Sequence, residues 1–579
     1  MATTCVPCDP LTGLVVGVRR VFLGACAVAL VSCGGGQSGL AAPVDSVSPA
    51  GADTTDGPGI ALNPPATVGP SNRIGLTWQA SSSLTSFTVF VQRAAGLGFE
   101  AADASVGNNS AQFSRGAAYR LDFPTARVRV RGCLDANQCV DSNEQLLVDA
   151  LVGGLAQVSA EPFGNSFDGV ALSADGNTLA VNATGVQCGA FFGAVVVYQR
   201  AVDGQWTPEA ALGQSAPGTA MFNSLSLALS GDGNTIAVGS YADLDGAGSV
   251  QVFTRDAQHN WSRQAFIQDP VPTAFGAFGE GVTTNHDGNR IVVTGQAKPP
   301  SNRIYVFERE AGQWRQAHII EQGPGISTYP AATVAIGADG SSFAVPVFSQ
   351  LDNTFAVHVY KACSCADGWQ LVAELRSAKP SFEALEYGFG HALSFSSDGD
   401  TLAVGAGGDP GDASDNGTTM NLGSEASGAV YIFAADDGGT WQRRAFLKAK
   451  TAPAFDHLGV QVSLSSDGKV LLAGACGFAA NANGLRRNHR AGATVGPPGE
   501  DNSRCQFGGS GYVFEADGGG AWSHTAAAIA APGERTAFGN FFISGGLAFS
   551  LSMSADAQTS ALLAKPSAFS LDPDRVVVH

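Results

Sequence analysis

The sequence predicts an all-β protein, a seven-bladed β-propeller behind a small β-sandwich, and three observations carry that expectation. Six of the seven tryptophans (Trp206, Trp261, Trp314, Trp369, Trp441 and Trp522) close units of one plan. In five of the six an alanine follows four residues later (Ala210, Ala265, Ala373, Ala445, Ala526), and the third unit has His318 there. Asp-Gly landmarks recur at Asp175, Asp232, Asp287, Asp339, Asp398 and Asp467, with a degenerate seventh at Asp556-Ala557; their spacings are 57, 55, 52, 59, 69 and 89 residues. Self-similarity at this period means one supersecondary piece set repeatedly beside itself.

Each unit runs Phe-Gly, an apolar alternation ending in Ser, Asp-Gly, a second apolar run, a variable loop, a third run and the Trp. The second reads LSLALSGDGNTIAVGS, AGSVQVFTR and WSRQAFI; the fifth reads FGHALSFSSDGDTLAVGAGG, SGAVYIF and WQRRAFL. Runs this rich in β-branched residues, with period two, read as strands. Asp-Gly between two such runs signals a hairpin, because glycine takes positive φ without steric cost. Each unit then yields about four antiparallel strands. The indoles belong between neighbouring sheets, where full burial removes roughly 150–250 Å² each from water.

The last unit has Phe538-Gly539, the runs LAFSLSMS and TSALLA and a final DRVVVH, but no Trp strand. An apolar segment, VGGLAQVSA at 152–160, precedes the first Phe-Gly (Phe163-Gly164). Pairing of this segment with the last unit closes the ring and leaves no open sheet edge.

Ahead of the ring the chain divides into residues 1–32, a signal peptide; 33–58, a tether; and 59–151, a β-sandwich; the propeller takes 152–579. Residues 21–32, VFLGACAVALVS, follow Arg19-Arg20 and are too short an apolar run to span a bilayer. The Gly/Ser/Ala/Asp/Thr/Pro tract up to residue 58 cannot bury a core. The sandwich runs are NRIGLTWQ, SFTVFVQR, ARVRVRG and SNEQLLVDA, with Trp78 in the first.

Several of these segments resemble known families. Phe-Gly followed by SGDGNTIAVGS or SSDGDTLAVGA and then SGAVYIF resembles the bacterial FG-GAP repeat, a relative of the integrin α-chain propeller; TolB-like and WD-type propellers share the Ser-x-Asp-Gly hairpin and are the second choice. In integrin-type repeats that hairpin is an Asp-rich calcium loop. Here one carboxylate beside glycine cannot supply the six to eight oxygens calcium prefers, so no cofactor is expected and calcium is disfavoured. Leu30-Val31-Ser32-Cys33 resembles a lipoprotein lipobox, which implies lipidation of Cys33 and, with Gly34 next, the outer membrane, on its periplasmic or surface face. A general secretory signal with a chance cysteine is the alternative, and Arg19-Arg20-Val21-Phe22-Leu23 also resembles a twin-arginine signal. The sandwich resembles a fibronectin type III domain, with LDFPTARVRVRG as its sixth-strand signature and Ala126 where that family usually has tyrosine.

Cysteine usage fits an exported chain. Cys133 and Cys139 flank a five-residue turn, and Cys476 and Cys505 bracket the long insertion of the sixth unit, so both pairs are candidate disulfides. Cys363 and Cys365 are two apart and either pair or stay reduced; Cys188 is left over. Zinc is disfavoured, because there are neither paired C-x-x-C elements nor a nearby His pair.

Chemistry is sparse in the linear sequence. The nine histidines lack metal-ligand spacing, and there is no H-E-x-x-H, P-loop or G-x-S-x-G. Variable insertions carry function in repeat folds. Two stand out: an acidic one in the fifth unit with Asp409, Asp412, Asp415 and Glu425, and a basic one in the sixth with Arg486, Arg487, His489 and Arg490. The first is a candidate cation or polar-ligand loop against the plainer reading of a solvated insertion; the second, a candidate for an anionic partner against a merely soluble loop. A formal net charge of −18 disfavours nucleic acid, whose phosphates demand clustered Lys and Arg. The expected function is non-enzymatic: a lipid-anchored envelope or surface protein binding a protein or glycan. The alternatives are a polysaccharide hydrolase or lyase with its site at the propeller mouth, and a TolB-like assembly scaffold. Ligand and oligomeric state are not legible.

Overall fold

Period-two alternation decides nearly every element of the chain, and among the described residues the computed structural model is built of strands apart from one tight turn at Asp243–Gly246, where Leu244 and Asp245 take positive φ. It describes residues 59–67, 73–114, 125–147, 156–159 and most of 166–578. The longer stretches outside it are 214–225, 296–302, 329–332, 380–387, 451–455, 477–508, 529–550 and 565–574.

Residues 60–146 form two antiparallel sheets over one core. Arg73–Ala80 is central to the first sheet, and Arg127–Cys133 lies between Ser86–Gln92 and Gln145–Leu146 in the second. Arg127–Cys133 alternates strictly, so Val128 and Val130 join Trp78, Leu76, Val89 and Phe113 inside while the arginines face out. Ala126 is fully buried. Cys133 and Cys139 are register partners and are joined by a disulfide. Cys363 and Cys365 are also bridged; Cys33, Cys188 and Cys505 fall outside what can be described in side-chain terms, as does Cys476.

Among the described residues the rest of the chain makes seven antiparallel sheets; five are four consecutive strands in simple order, and in the fourth Ile326–Thr328 and Ala335–Ile336 both pair with Ser342–Ser349. The first is Ser166–Leu172, Thr178–Cys188, Phe191–Arg200 and Trp206–Gly213. In the seventh, Leu551–Met553, Ser560–Ala564 and Arg575–Val578 gain their outermost strand from Ala156–Ser159, with Ala156 opposite Val578 and Ser159 opposite Arg575. The segment 152–160 thus contributes this outer strand through residues 156–159.

Each hairpin between the first and second strands turns at Ser-x-Asp-Gly or a close variant. Ser230 Oγ donates to Asp232 Oδ1 at 2.5 Å, Asn234 N donates to the same oxygen at 2.9 Å, and Gly233 takes φ +72°. The seventh hairpin holds Ala557 at φ +55° where the others hold glycine, a conformation L-residues resist. The x residues, with Asp232 donating in place of Gly231, then bond from hairpin to hairpin through the main chain. Ala174 N donates to Gly231 O, Asp232 N to His286 O, His286 N to Ala338 O and Ala338 N to Ser397 O. Ser397 N donates to Ser466 O, Ser466 N to Ala555 O and Ala555 N back to Ala174 O, all at 2.8–3.1 Å. The seven hairpins therefore form a closed collar.

Between sheets, packing follows the pleat. The second sheet sends Ile236, Val238 and Phe253 towards the first, and Ala237, Val250 and Val252 towards the third. Five junction cores each contain one tryptophan, always from the later sheet: Trp261, Trp314, Trp369, Trp441 and Trp522. Trp261 and Trp369 are fully buried and the other four indoles of the set half-buried. The sixth-to-seventh junction relies on Leu551, Met553 and Ala557 instead.

The Trp-x-x-x-Ala spacing has a geometric cause. Residues four apart on a regular strand share a face. In all six Trp strands, however, the pairing with the third strand carries a β-bulge between the Trp and the fourth residue after it. The extra residue inverts the parity. Trp261 faces the first sheet while Ala265 faces the third, beneath Trp314. The bulged residue is also used: Trp261 Nε1 donates to Glu209 Oε2 at 3.1 Å, and Trp314 Nε1 to Gln264 Oε1 at 2.8 Å. His318 breaks the alanine rule, and Gly368 of the next sheet accommodates it; a Cβ there would lie 2.2 Å from the imidazole.

Deleting residues 152–160 is expected to lower the melting temperature by about 5 °C or more, measured by calorimetry on the otherwise intact chain. Trp261→Ala is expected to cost about 3–5 kcal/mol in denaturant unfolding, because it removes an indole and leaves Glu209 without that donor.

Candidate functional site

Antiparallel order assigns every loop to one of two ends. Ser-x-Asp-Gly hairpins and the turns before each Trp lie at one end; second-to-third connections and crossings between sheets lie at the other. The strands that flank the long insertions therefore all meet them at one end. The acidic loop after Thr401–Ala406 and the basic insertion after Val470–Cys476 are equivalent connections of adjacent sheets.

The inner wall is made by the first strand of each sheet, and four hydroxyls on or just before these strands accept from the main chain of the next sheet. Ser226 Oγ accepts from Val282 N at 2.7 Å, Thr333 Oγ1 from Leu393 N at 2.7 Å, and Ser394 Oγ from Leu464 N at 2.9 Å; Ser552 Oγ accepts from Leu172 N at 3.0 Å. These bonds replace the ladder that innermost strands lack. His391 ties its Nδ1 to Val460 O at 3.3 Å, and burial holds its pKa below the usual histidine value. At the hairpin end the collar positions are Ala174, Gly231, His286, Ala338, Ser397, Ser466 and Ala555, six of them too small to bring a reactive group to the axis.

The fifth-sheet loop has an electrostatic interior. Lys379 Nζ bonds Asp409 Oδ1 at 2.6 Å and Asp415 Oδ2 at 2.5 Å, and also donates to Pro410 O at 3.0 Å. Lys448 Nζ lies 3.1 Å from Asp409 Oδ1 and donates to Ser427 Oγ at 2.8 Å. Tyr431 completes the set, donating to Asp409 Oδ2 at 3.0 Å. All four charged side chains are almost wholly buried. Burial lowers the Lys448 pKa against the pull of Asp409, and burial, reinforced by Asp409, raises that of Tyr431. Two ammonium groups balance two carboxylates.

Asp409 and Asp415, expected either in a cation or polar-ligand loop or in a solvated insertion, are buried counter-ions of lysines. Sequence reasoning missed Lys379 and Lys448 because they lie outside the loop, one on the crossing from the fourth sheet and one just past the Trp441 strand. Their one signal was a lysine following WQRRAFL where the second unit has Gln268. Asp412 stays nearer the surface, accepting from Ser414 N at 2.9 Å and Asn421 Nδ2 at 3.1 Å; the Ser414 hydroxyl is the main cause that lowers its pKa. Glu425, Arg486, Arg487, His489 and Arg490 lie outside the described residues.

Lys379→Met is expected to cost about 3–5 kcal/mol, since a buried carboxylate pair loses its shared cation. Adding Asp415→Asn should recover part of that loss, both read as denaturation midpoints at constant slope.

No protein-family model matches the chain, and no curated protein does so. Solved structures similar to it include the periplasmic gluconolactonase PpgL of Pseudomonas aeruginosa, at 19% identity over 62% of this chain and 97% of that one, with TM-score 0.33. TolB from Acinetobacter baumannii matches at 9% identity over 68% and 81%, with TM-score 0.29. Chaetomium thermophilum Sqt1 matches at 14% identity over 70% and 81%, with TM-score 0.37.

Proposed function

We propose that the chain is a lipid-anchored envelope protein, a seven-bladed FG-GAP-like propeller that presents loops from one mouth to a protein or glycan. A fibronectin type III-like sandwich at 59–151 spaces the ring from a tether at 33–58, and Cys33 carries the lipid at the outer membrane. The observation that supports a binding role is the distribution of chemistry: four wall hydroxyls are bonded to neighbouring strands, while the strands that flank the long insertions all meet them at one end. The collar and the wall support the seven-bladed ring. The hydrolase and assembly-scaffold readings keep company with the gluconolactonase and TolB above, but those are likenesses of fold, and the choice is made on the wall.

Two experiments test this. Cys33→Ser should shift the protein from the membrane to the soluble fraction, and unchanged membrane retention defeats the anchor. A glycan array probed with the lipid-free chain 34–579 should show selective binding that is lost when 477–508 is shortened to a Gly-Ser turn; turnover of a polysaccharide on the same panel would establish the hydrolase instead.

A further inference from the structure

Between Trp441–Leu447 and Gln461–Leu464 stands Asp456, 1 % exposed, with neither carboxylate oxygen hydrogen-bonded in good geometry. Other junctions place a polar residue eight after the Trp against the next sheet. Asp269 acts on Tyr305, Gln322 Nε2 donates to the Tyr360 hydroxyl at 2.8 Å, and Ser377 Oγ bonds Tyr431 at 2.9 Å. At this junction that position is Ala449, and Asp456 stands beside Tyr512 in its stead.

Directly after Asp456 the chain is clasped to the end of the acidic loop. His457, at φ +54°, donates its N–H to Ala426 O at 3.0 Å, and Leu458 N donates to Ser427 O at 3.1 Å. Leu458 also bridges Gly428, and Gly459 N donates to Gly474 O at 2.8 Å. Ser427 accepts in turn from Lys448. Hydrogen bonds thus join His457 and Leu458 to the loop end, and the loop end to Lys448 of the ion cluster.

We infer that Asp456 is a proton-operated latch on the loop-bearing mouth: neutral, it lets the crossing clasp residues 426–428, and ionised, it favours release of that clasp. Burial pushes its pKa up to about 7, and the Tyr512 hydroxyl offsets this only in part. Other titratable groups nearby are engaged elsewhere. His457 directs Nδ1 to Gly407 O at 3.1 Å, His524 packs on Tyr512 at 5.2 Å, and Lys379, Lys448, Asp409 and Asp415 bond among themselves. A carboxyl whose closed-state pKa lies above its open-state value stabilises the closed form fully below the open-state pKa. That stabilisation declines as pH rises towards about 7 and is level beyond it. The device deepens the proposed presenting role, but its readout is exchange and not binding, so either can fail alone.

Amide exchange on the full chain, corrected for intrinsic rates, tests it. Protection at His457, Leu458 and Gly459 should fall about 50-fold between pH 5 and pH 7 in the natural protein and less than about 3-fold in Asp456→Asn. Constant protection in the natural protein, or the same fall in Asp456→Asn, overturns the latch. Should Asp456→Asn not fold, carbon-13 carboxyl spectra of the natural protein decide: an aspartate titrating near neutrality supports it, and aspartates all titrating below pH 5 overturn it.

Discussion

Five of the junctions between sheets depend on one extra residue in each Trp strand. Without the bulge, the indole and the fourth residue beyond it would face the same neighbour, and the opposite neighbour would meet no small residue to pack upon. With it, the indole reaches back and the alanine lies under the next indole. A sheet is thereby keyed on both sides by a five-residue stretch. The side chain of the bulged residue supplies the indole N–H with an acceptor at two junctions, so the burial of a large aromatic leaves little polar debt.

Much of this was legible because periodicity and turn chemistry are local. Six Trp strands, the hairpins and the strand at 156–159 follow from residue spacing alone. The bulge was visible only as an unexplained Trp-to-Ala interval, since parity inversion is a pairing property and needs the partner strand. His318 looked like a defect in the repeat and is matched by Gly368, more than forty residues on. Such compensation is a fact of three-dimensional neighbours.

The candidate loop shows the opposite limit. Asp409 and Asp415 in a glycine-rich acidic stretch suggest free carboxylates, yet Lys379 and Lys448 approach from separate strands and absorb both charges. Burying four such groups together is affordable only when they neutralise one another. The loop is consequently fixed at its root, while Asp412 remains nearer solvent.

The collar is made of main chain alone, and its residues range from glycine to histidine. Amide and carbonyl groups are common to every amino acid, so this girdle is indifferent to substitution and tolerates even the aberrant Asp556-Ala557 turn. It is not indifferent to number. Seven donors meet seven acceptors in a loop of fixed circumference, so whole units can diverge freely by mutation, whereas gaining or losing one would require every remaining hairpin to shift together.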